Sequence, residues 1–196
     1  MFAKTRTAVL LTIVLAGAVP AALAQKTELA IGAGGYFPVN LTGVGNAVAI
    51  EGTFSHRLGS VPLAAIYLDV PVVGTLNSTV HSAGLGSRAS YSALFVAPGL
   101  KLKLAPSFFV SPWLALGGGL AHFSASSGLA ALSGTSGSTN TGVFDVGGGL
   151  DVKLAPYLSA RGEVRDFYSG GLGLPITGFN ERQHNLVTTL GLVLRF

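Results

Sequence analysis

The amino-acid sequence predicts an all-β chain, folded as an eight-stranded antiparallel transmembrane β-barrel, and three observations lead there. Charged residues make up 10% of the 196 positions and hydrophobic residues 49%, whereas a soluble domain carries about 25% charged residues. Downstream of an N-terminal leader the chain has no apolar run of the about 18 residues that would span a bilayer as a helix. Apolar residues instead alternate with small or charged ones, a period of two. A chain that must sit in lipid without a spanning helix has to close a sheet on itself, because only then does every backbone group find a partner.

The leader comes first. Lys4 and Arg6 precede an apolar core from Ala8 to Val19, Pro20 breaks that core, and Ala22-Leu23-Ala24 offers small residues where a signal peptidase cuts. Residues 1–24 therefore read as a cleaved secretory signal peptide, exporting the chain to the periplasm, and residues 25–196 as the barrel. The apolar core is too short for an anchor, which needs about 20 residues. Without Lys4 and Arg6, ten basic residues face eight acidic ones. No run of Lys and Arg occurs, so nucleic acid is not an expected partner. The chain has no cysteine, which excludes disulfides, thiolate metal sites and cysteine nucleophiles.

Eight segments follow in order. The first, near 26–37, is compatible with a strand but untidy. Near 46–58, Val48, Ile50, Phe54 and Leu58 share one face, opposite Ala49, Glu51, Thr53, Ser55 and Arg57. The segment near 62–73 is again less regular. Near 91–104, Leu94, Val96, Leu100, Leu102 and Leu104 oppose Ala93, Phe95, Ala97, Gly99, Lys101 and Lys103. The fifth, near 108–124, is compatible. Near 141–155, Phe144, Val146, Leu150, Val152 and Leu154 oppose Asp145, Asp151 and Lys153; near 157–168, Leu158, Ala160 and Val164 oppose Ser159, Arg161, Glu163 and Arg165. The last, near 184–196, sets Leu186, Leu190, Leu192, Leu194 and Phe196 against Val187, Thr189, Val193 and Arg195. Apolar faces suit lipid and the others a lumen.

Connections alternate in length. Short ones fall at 58–62, 104–107 and 154–157, the last two containing Leu-Ala-Pro; longer ones, rich in Gly, Ser, Thr and Asn, fall near 38–45, 74–90, 125–140 and 169–183. Short turns at one end and long loops at the other are the pattern of outer-membrane barrels. Glycine runs at 117–119 and 147–149 lie inside strands, where they make room for large neighbours in a narrow interior. A phosphate-cradling loop would need a helix after the run, and no helical period follows.

The terminal run Leu192-Val193-Leu194-Arg195-Phe196 and the stretch Gly147 to Ser169 resemble small outer-membrane β-barrels of the OmpA and OmpX kind, barrel domain only. As a pattern the resemblance covers most of the chain after the leader; as sequence it is close over about the last 55 residues. It implies a bacterial, Gram-negative outer membrane, with lipid and lipopolysaccharide around the barrel. It also implies that Leu192, Leu194 and Phe196 form the signal read by the barrel-assembly machinery. Its members include anchors, adhesins, complement-resistance proteins and lipid A enzymes, so it implies no one activity. The peptidoglycan-binding domain of some members does not follow Phe196.

With the alternation, mid-strand charges face the lumen. The acids are Glu28, Glu51, Asp69, Asp145, Asp151 and Glu163; the bases are Arg57, Lys101, Lys103, Lys153, Arg161, Arg165 and Arg195. Charges in a narrow barrel must be paired, and so balanced a set predicts a salt-bridge plug, with Asp151, Lys153, Arg161, Glu163 and Arg165 at its core. A small non-specific pore, the porin-like alternative, would show a ring of one sign. Tyr36, Phe37, Tyr91, Phe108, Phe109, Trp113, Phe123, Tyr157, Phe167, Tyr168 and Phe196 lie mostly near strand ends, as interfacial girdles do.

The expected role is structural or surface-interacting, by a monomer without cofactor or metal. The alternative from another class is a lipid A acyl hydrolase. His122 and Ser124, two apart on an outward face, resemble the His-x-Ser of outer-membrane lipid A deacylases, in which histidine activates serine and an acid orients histidine. Ala125 stands where that family has asparagine, and the nearest downstream acid, Asp145, points inward. His56, His81 and His184 are expected at interfaces or in solvent.

Overall fold

The computed structural model describes residues 26–39, 45–76, 78–80, 89–125, 138–170 and 182–196. The predicted leader and His81 lie outside the described residues. Ten strand segments make eight staves: β1 (Thr27–Val39), β2 (Ala47–Val61), β3 (Ala64–Leu76) continued by β4 (Ser78–Val80), β5 (Ala89–Val96) continued by β6 (Gly99–Leu104), β7 (Val110–Ala125), β8 (Ser138–Ala155), β9 (Leu158–Ser169) and β10 (Gln183–Arg195). Each stave pairs antiparallel with its sequence neighbours, and β1 pairs with β10 from Glu28↔Arg195 to Val39↔His184. The sheet therefore closes and leaves no edge to lipid. Reciprocal backbone hydrogen bonds of 3.0 Å between Thr27 and Phe196 finish that seam.

The predicted alternation sets the faces. Lys101 and Lys103 are fully buried, whereas Leu100, Leu102 and Leu104 between and beside them are exposed. Leu190 is 77% and Leu114 68% exposed. Around the wall such residues make an apolar belt that a water-soluble protein would hide.

The start of β1, the end of β10 and the turns at 62–63, 105–109 and 156–157 share one end of the barrel. The first Leu-Ala-Pro bends through Ala105, at φ 47°, a left-handed conformation a residue with a Cβ adopts at a cost. Its carbonyl holds it there, accepting hydrogen bonds from Phe108 N at 3.0 Å and Ser111 Oγ at 2.8 Å.

Several strands outrun their predicted bounds. β8 begins at Ser138, and its Ser-Thr-Asn start pairs with Ser124, Phe123 and His122 on β7; β2 runs on to Val61. Polar composition reads as loop, but a ladder that projects past the lipid needs no apolar side chains. The predicted strand near 91–104 is broken at Ala97-Pro98, where proline has no N–H for the ladder. The glycine runs make room as expected: a Cβ on Gly147 would lie 2.8 Å from Arg165 Cγ, and one on Gly149 2.7 Å from Trp113 Cζ2.

Candidate functional site

The interior has two storeys. Near the turn end, Asp151 of β8 is a hub. Its carboxylate accepts from Arg161 Nε at 2.7 Å and Nη2 at 3.0 Å, from Lys103 Nζ at 2.6 Å, and from Trp113 Nε1 at 3.3 Å. Arg195, its side chain 9% exposed, reaches the same carboxylate at 3.5 Å. Glu28 of β1 takes Lys103, Arg161 and Arg195 from the other side. One level up, Arg165 is the hub. It meets Asp145 at 2.7 Å, Asp69 at 2.8 Å, Glu163 at 3.1 Å and Glu51 at 3.5 Å. Lys101 ties the two levels, 2.9 Å from Asp69 and 3.4 Å from Glu28. Arg161 and Arg165 lie 4.9 and 5.3 Å from the ring centre of Trp113, so an aromatic face adds to their neutralisation.

Of the predicted lumen residues, the structure brings together Glu51, Lys101, Lys103, Asp145, Asp151, Arg161, Glu163, Arg165 and Arg195, with Glu28 and Asp69 beside them. Arg57 and Lys153 are the corrections. Both are half-buried near the turn end, where bulges shift the register between Arg57 and Gly59 and between Lys153 and Ala155. Neither makes an ion pair among the described residues. Six buried carboxylates thus face five bases within the network, where the sequence count is six to seven.

The loop-end storey is aromatic. Phe95 stacks on Phe167 with ring centres 4.8 Å apart and meets Phe123 edge-on at 5.8 Å. Tyr36 Oη donates to Asn185 Oδ1 at 2.7 Å and lies 3.0 Å from Tyr91 Oη. Buried aromatics correct the girdle assignment: Tyr36, Tyr91, Trp113, Phe123 and Phe167 are buried in the lumen, whereas Phe108, Phe109, Tyr157 and Phe196 are exposed at the turn end. Position along a strand gives depth in the membrane, but only the parity of the residue number gives the face. Phe95 and Phe167 share parity with Lys101 and Arg165.

On the outer wall at the loop end, His122 and Ser124 are both exposed, as the register implies. Asn140, across the ladder on β8, places its Oδ1 2.7 Å from His122 Nδ1. No hydrogen bond joins His122 to Ser124 among the described residues. A second pair was not foreseen: His184 Nδ1 lies 2.6 Å from Asp166 Oδ2, and its ring packs 4.7 Å from that of Tyr168. The signal was the i, i+2 pair Asp166 and Tyr168 on an outward face. Its partner, on the last strand, needed the β9–β10 register. His56 contacts Thr27 Oγ1 at 3.1 Å beside the turn end.

A closed eight-stave barrel with an apolar belt outside and a filled lumen inside is the architecture of small outer-membrane proteins. No family model matches the chain, and no curated protein matches it in sequence. Solved structures do match. Neisserial surface protein A is similar with a TM-score of 0.62 at 14% identity, over 88% of this chain and 98% of that one. The attachment invasion locus protein Ail of Yersinia pestis, solved with the heparin analogue sucrose octasulfate, gives 0.56 at 14%, over 87% and 98%. The outer membrane protein OprG of Pseudomonas aeruginosa gives 0.56 at 13%, over 88% and 97%. The chain has the fold of these small outer-membrane barrels.

Proposed function

We propose that the protein is a monomeric, non-conducting barrel of the bacterial outer membrane, with a structural or surface-interaction role. Its strands carry the connections of the loop end to the cell surface, set in lipopolysaccharide outside and phospholipid inside. The observation that carries this reading is the filling of the lumen. Two ionic hubs and an aromatic layer occupy a cross-section that in an eight-stranded barrel is only just wide enough for side chains. Interleaved, mutually paired charges of both signs offer a permeating ion no free ring of one sign. Planar-bilayer recording of the refolded protein tests it. No stepwise conductance is expected, and a steady ion-selective channel would overturn the non-conducting reading. Leu192, Leu194 and Phe196 are exposed on the outer face of β10, where assembly machinery can read them before the seam closes. Phe196→Ser is expected to lower the amount assembled in cells.

Ester hydrolysis by Ser124 and His122 is a second reading, favoured by one observation. Asn140 fixes one imidazole nitrogen, which leaves the other free to take a proton from a hydroxyl. Mass spectrometry of lipid A from cells carrying the wild type or Ser124→Ala decides it. Loss of an acyl chain with the wild type alone establishes hydrolysis; identical profiles in both and in empty cells remove it.

A further inference from the structure

We propose that the turn-end mouth of the lumen binds a phosphate group, held by Arg57, Lys153 and Ser159. Charge placement gives the first reason. At this end the last inward-facing residues of β1, β6 and β10 are Glu28, Lys103 and Arg195, which pair with one another and with Asp151. On the other staves the last inward-facing residues are Ala65, Ser111, Ser159 and, just before the bulges of β2 and β8, Arg57 and Lys153. They bring two positive charges and no acid. Neither base has an ion-pair partner among the described residues. Lys26, exposed beside them, adds a third cation; its carbonyl accepts from Arg57 N at 2.6 Å. Both unpaired bases adjoin a bulge, the device that re-aims side chains at barrel rims.

The second reason is independent of charge. Ser159 Oγ is fully buried and has no hydrogen-bond partner among the described residues, a state that costs free energy unless some other group completes the bond. Ser159 lies across the ladder from Lys153 on one side and from Val193 on the other. Arg195, two residues beyond Val193, carries a second orphan: its Nε is buried and makes no hydrogen bond, although Glu28 Oε1 is 3.3 Å away. Both orphans can donate. A water molecule would satisfy a donor but leave Arg57 and Lys153 unneutralised. A phosphate group does both, because its oxygens accept in several directions from guanidinium, ammonium and hydroxyl groups. The Asp151 hub closes the site from behind, so the group binds at the mouth and does not pass. In the outer-membrane placement proposed above, on which the source of the ligand rests, this end faces the periplasm. The phosphate then belongs to a periplasmic solute or to the headgroup of an inner-leaflet lipid.

Urea unfolding of the refolded barrel in maltoside micelles, with inorganic phosphate added at constant ionic strength, tests this. The wild-type midpoint is expected to rise and saturate with phosphate, because a ligand of the folded state stabilises it by mass action, and to ignore acetate and chloride. Arg57→Gln and Lys153→Gln are each expected to weaken phosphate binding about tenfold, the loss of one charge-assisted hydrogen bond. Ser159→Ala is expected to weaken it too, yet to keep or raise the midpoint without phosphate, since the hydroxyl it removes has no partner. Arg182→Gln, at the loop end, is expected to bind as the wild type does. A wild type without a saturating response overturns the proposal, as does an equal response to acetate or an unchanged phosphate response in all three site variants. A midpoint lowered by Ser159→Ala without phosphate also overturns it, because the hydroxyl would then be bonded within the fold. Either glutamine variant suffices if the other does not refold. Short-chain phosphatidylglycerol added to the same micelles separates the sources. Displacement of inorganic phosphate by the lipid assigns the site to a headgroup, and an unchanged phosphate response assigns it to a solute.

Discussion

The two storeys of the lumen fill the same narrow space with opposite materials. Around Asp151 and Arg165, the contacts are directional and each involves a charged group. Arg165 alone, from β9, reaches carboxylates on β2, β3 and β8. Around Phe95, contacts between β1, β5, β7 and β9 are made by ring faces and edges. An ionic hub tolerates no slip, because a one-residue shift would turn its partners to the lipid. An aromatic layer tolerates small shifts. The difference teaches a division of labour: the charged storey fixes which staves meet in which register, and the aromatic storey fills the loop end.

The sharpest way to break this contrast is Asp151→Ala. It leaves Lys103 and Arg161 with Glu28 as their one remaining shared carboxylate partner among the described residues, and breaking a buried pair from one side costs about 3–5 kcal/mol. Equilibrium unfolding in urea, from lipid vesicles, should show that loss. Raising the salt concentration should not mimic it, since buried pairs are little screened. Gly149→Ala strikes the same storey by crowding. Its new methyl group meets Trp113 and the carbonyl oxygen of Gly162, for about 1–3 kcal/mol of strain. Trp113 is the only tryptophan, so its emission reports the displacement directly. In the aromatic storey Phe95→Leu keeps an apolar filling and loses the stacked and edge-on ring contacts, worth about 1 kcal/mol. If Phe95→Leu costs as much as Asp151→Ala, the division of labour is wrong.

How much of this was legible follows from the same contrast. The faces were readable because a strand's period is two, and Glu51, Lys101, Asp151, Arg161 and Arg165 sit where parity puts them. The hubs were not readable as hubs. That Asp151 joins Lys103 and Arg195 depends on barrel closure, which brings β8, β6 and β10 to one axis. Arg57 and Lys153 obey the parity, yet bulges beside the turns take them out of the network, and no local residue pattern announces those bulges. Interior aromatics were misread as a girdle because nearness to a strand end describes depth, whereas Tyr36 and Phe167 are distinguished from Phe37 and Tyr168 by parity alone. The pairs His122–Asn140 and His184–Asp166 span neighbouring staves and needed the ladder register.

The smallest expected effect bears on the join between the storeys' chemistries. Tyr36, Tyr91 and Asn185 form a polar chain inside the aromatic layer, and Asn185 Nδ2 passes it on to the carbonyl of Phe167 at 2.7 Å and to Ser169 Oγ at 3.0 Å. Tyr36→Phe keeps the ring beside Phe95 and removes the hydroxyl. Asn185 Oδ1 loses that donor, yet its amide keeps both other bonds. A net cost of about 1 kcal/mol follows, read as a small drop in the urea midpoint. Tyr36→Phe should leave the bilayer silent, because closure rests on the rings rather than on the hydroxyl chain. A variant that is stable but conducts would move the seal from the aromatic faces to this chain of hydrogen bonds.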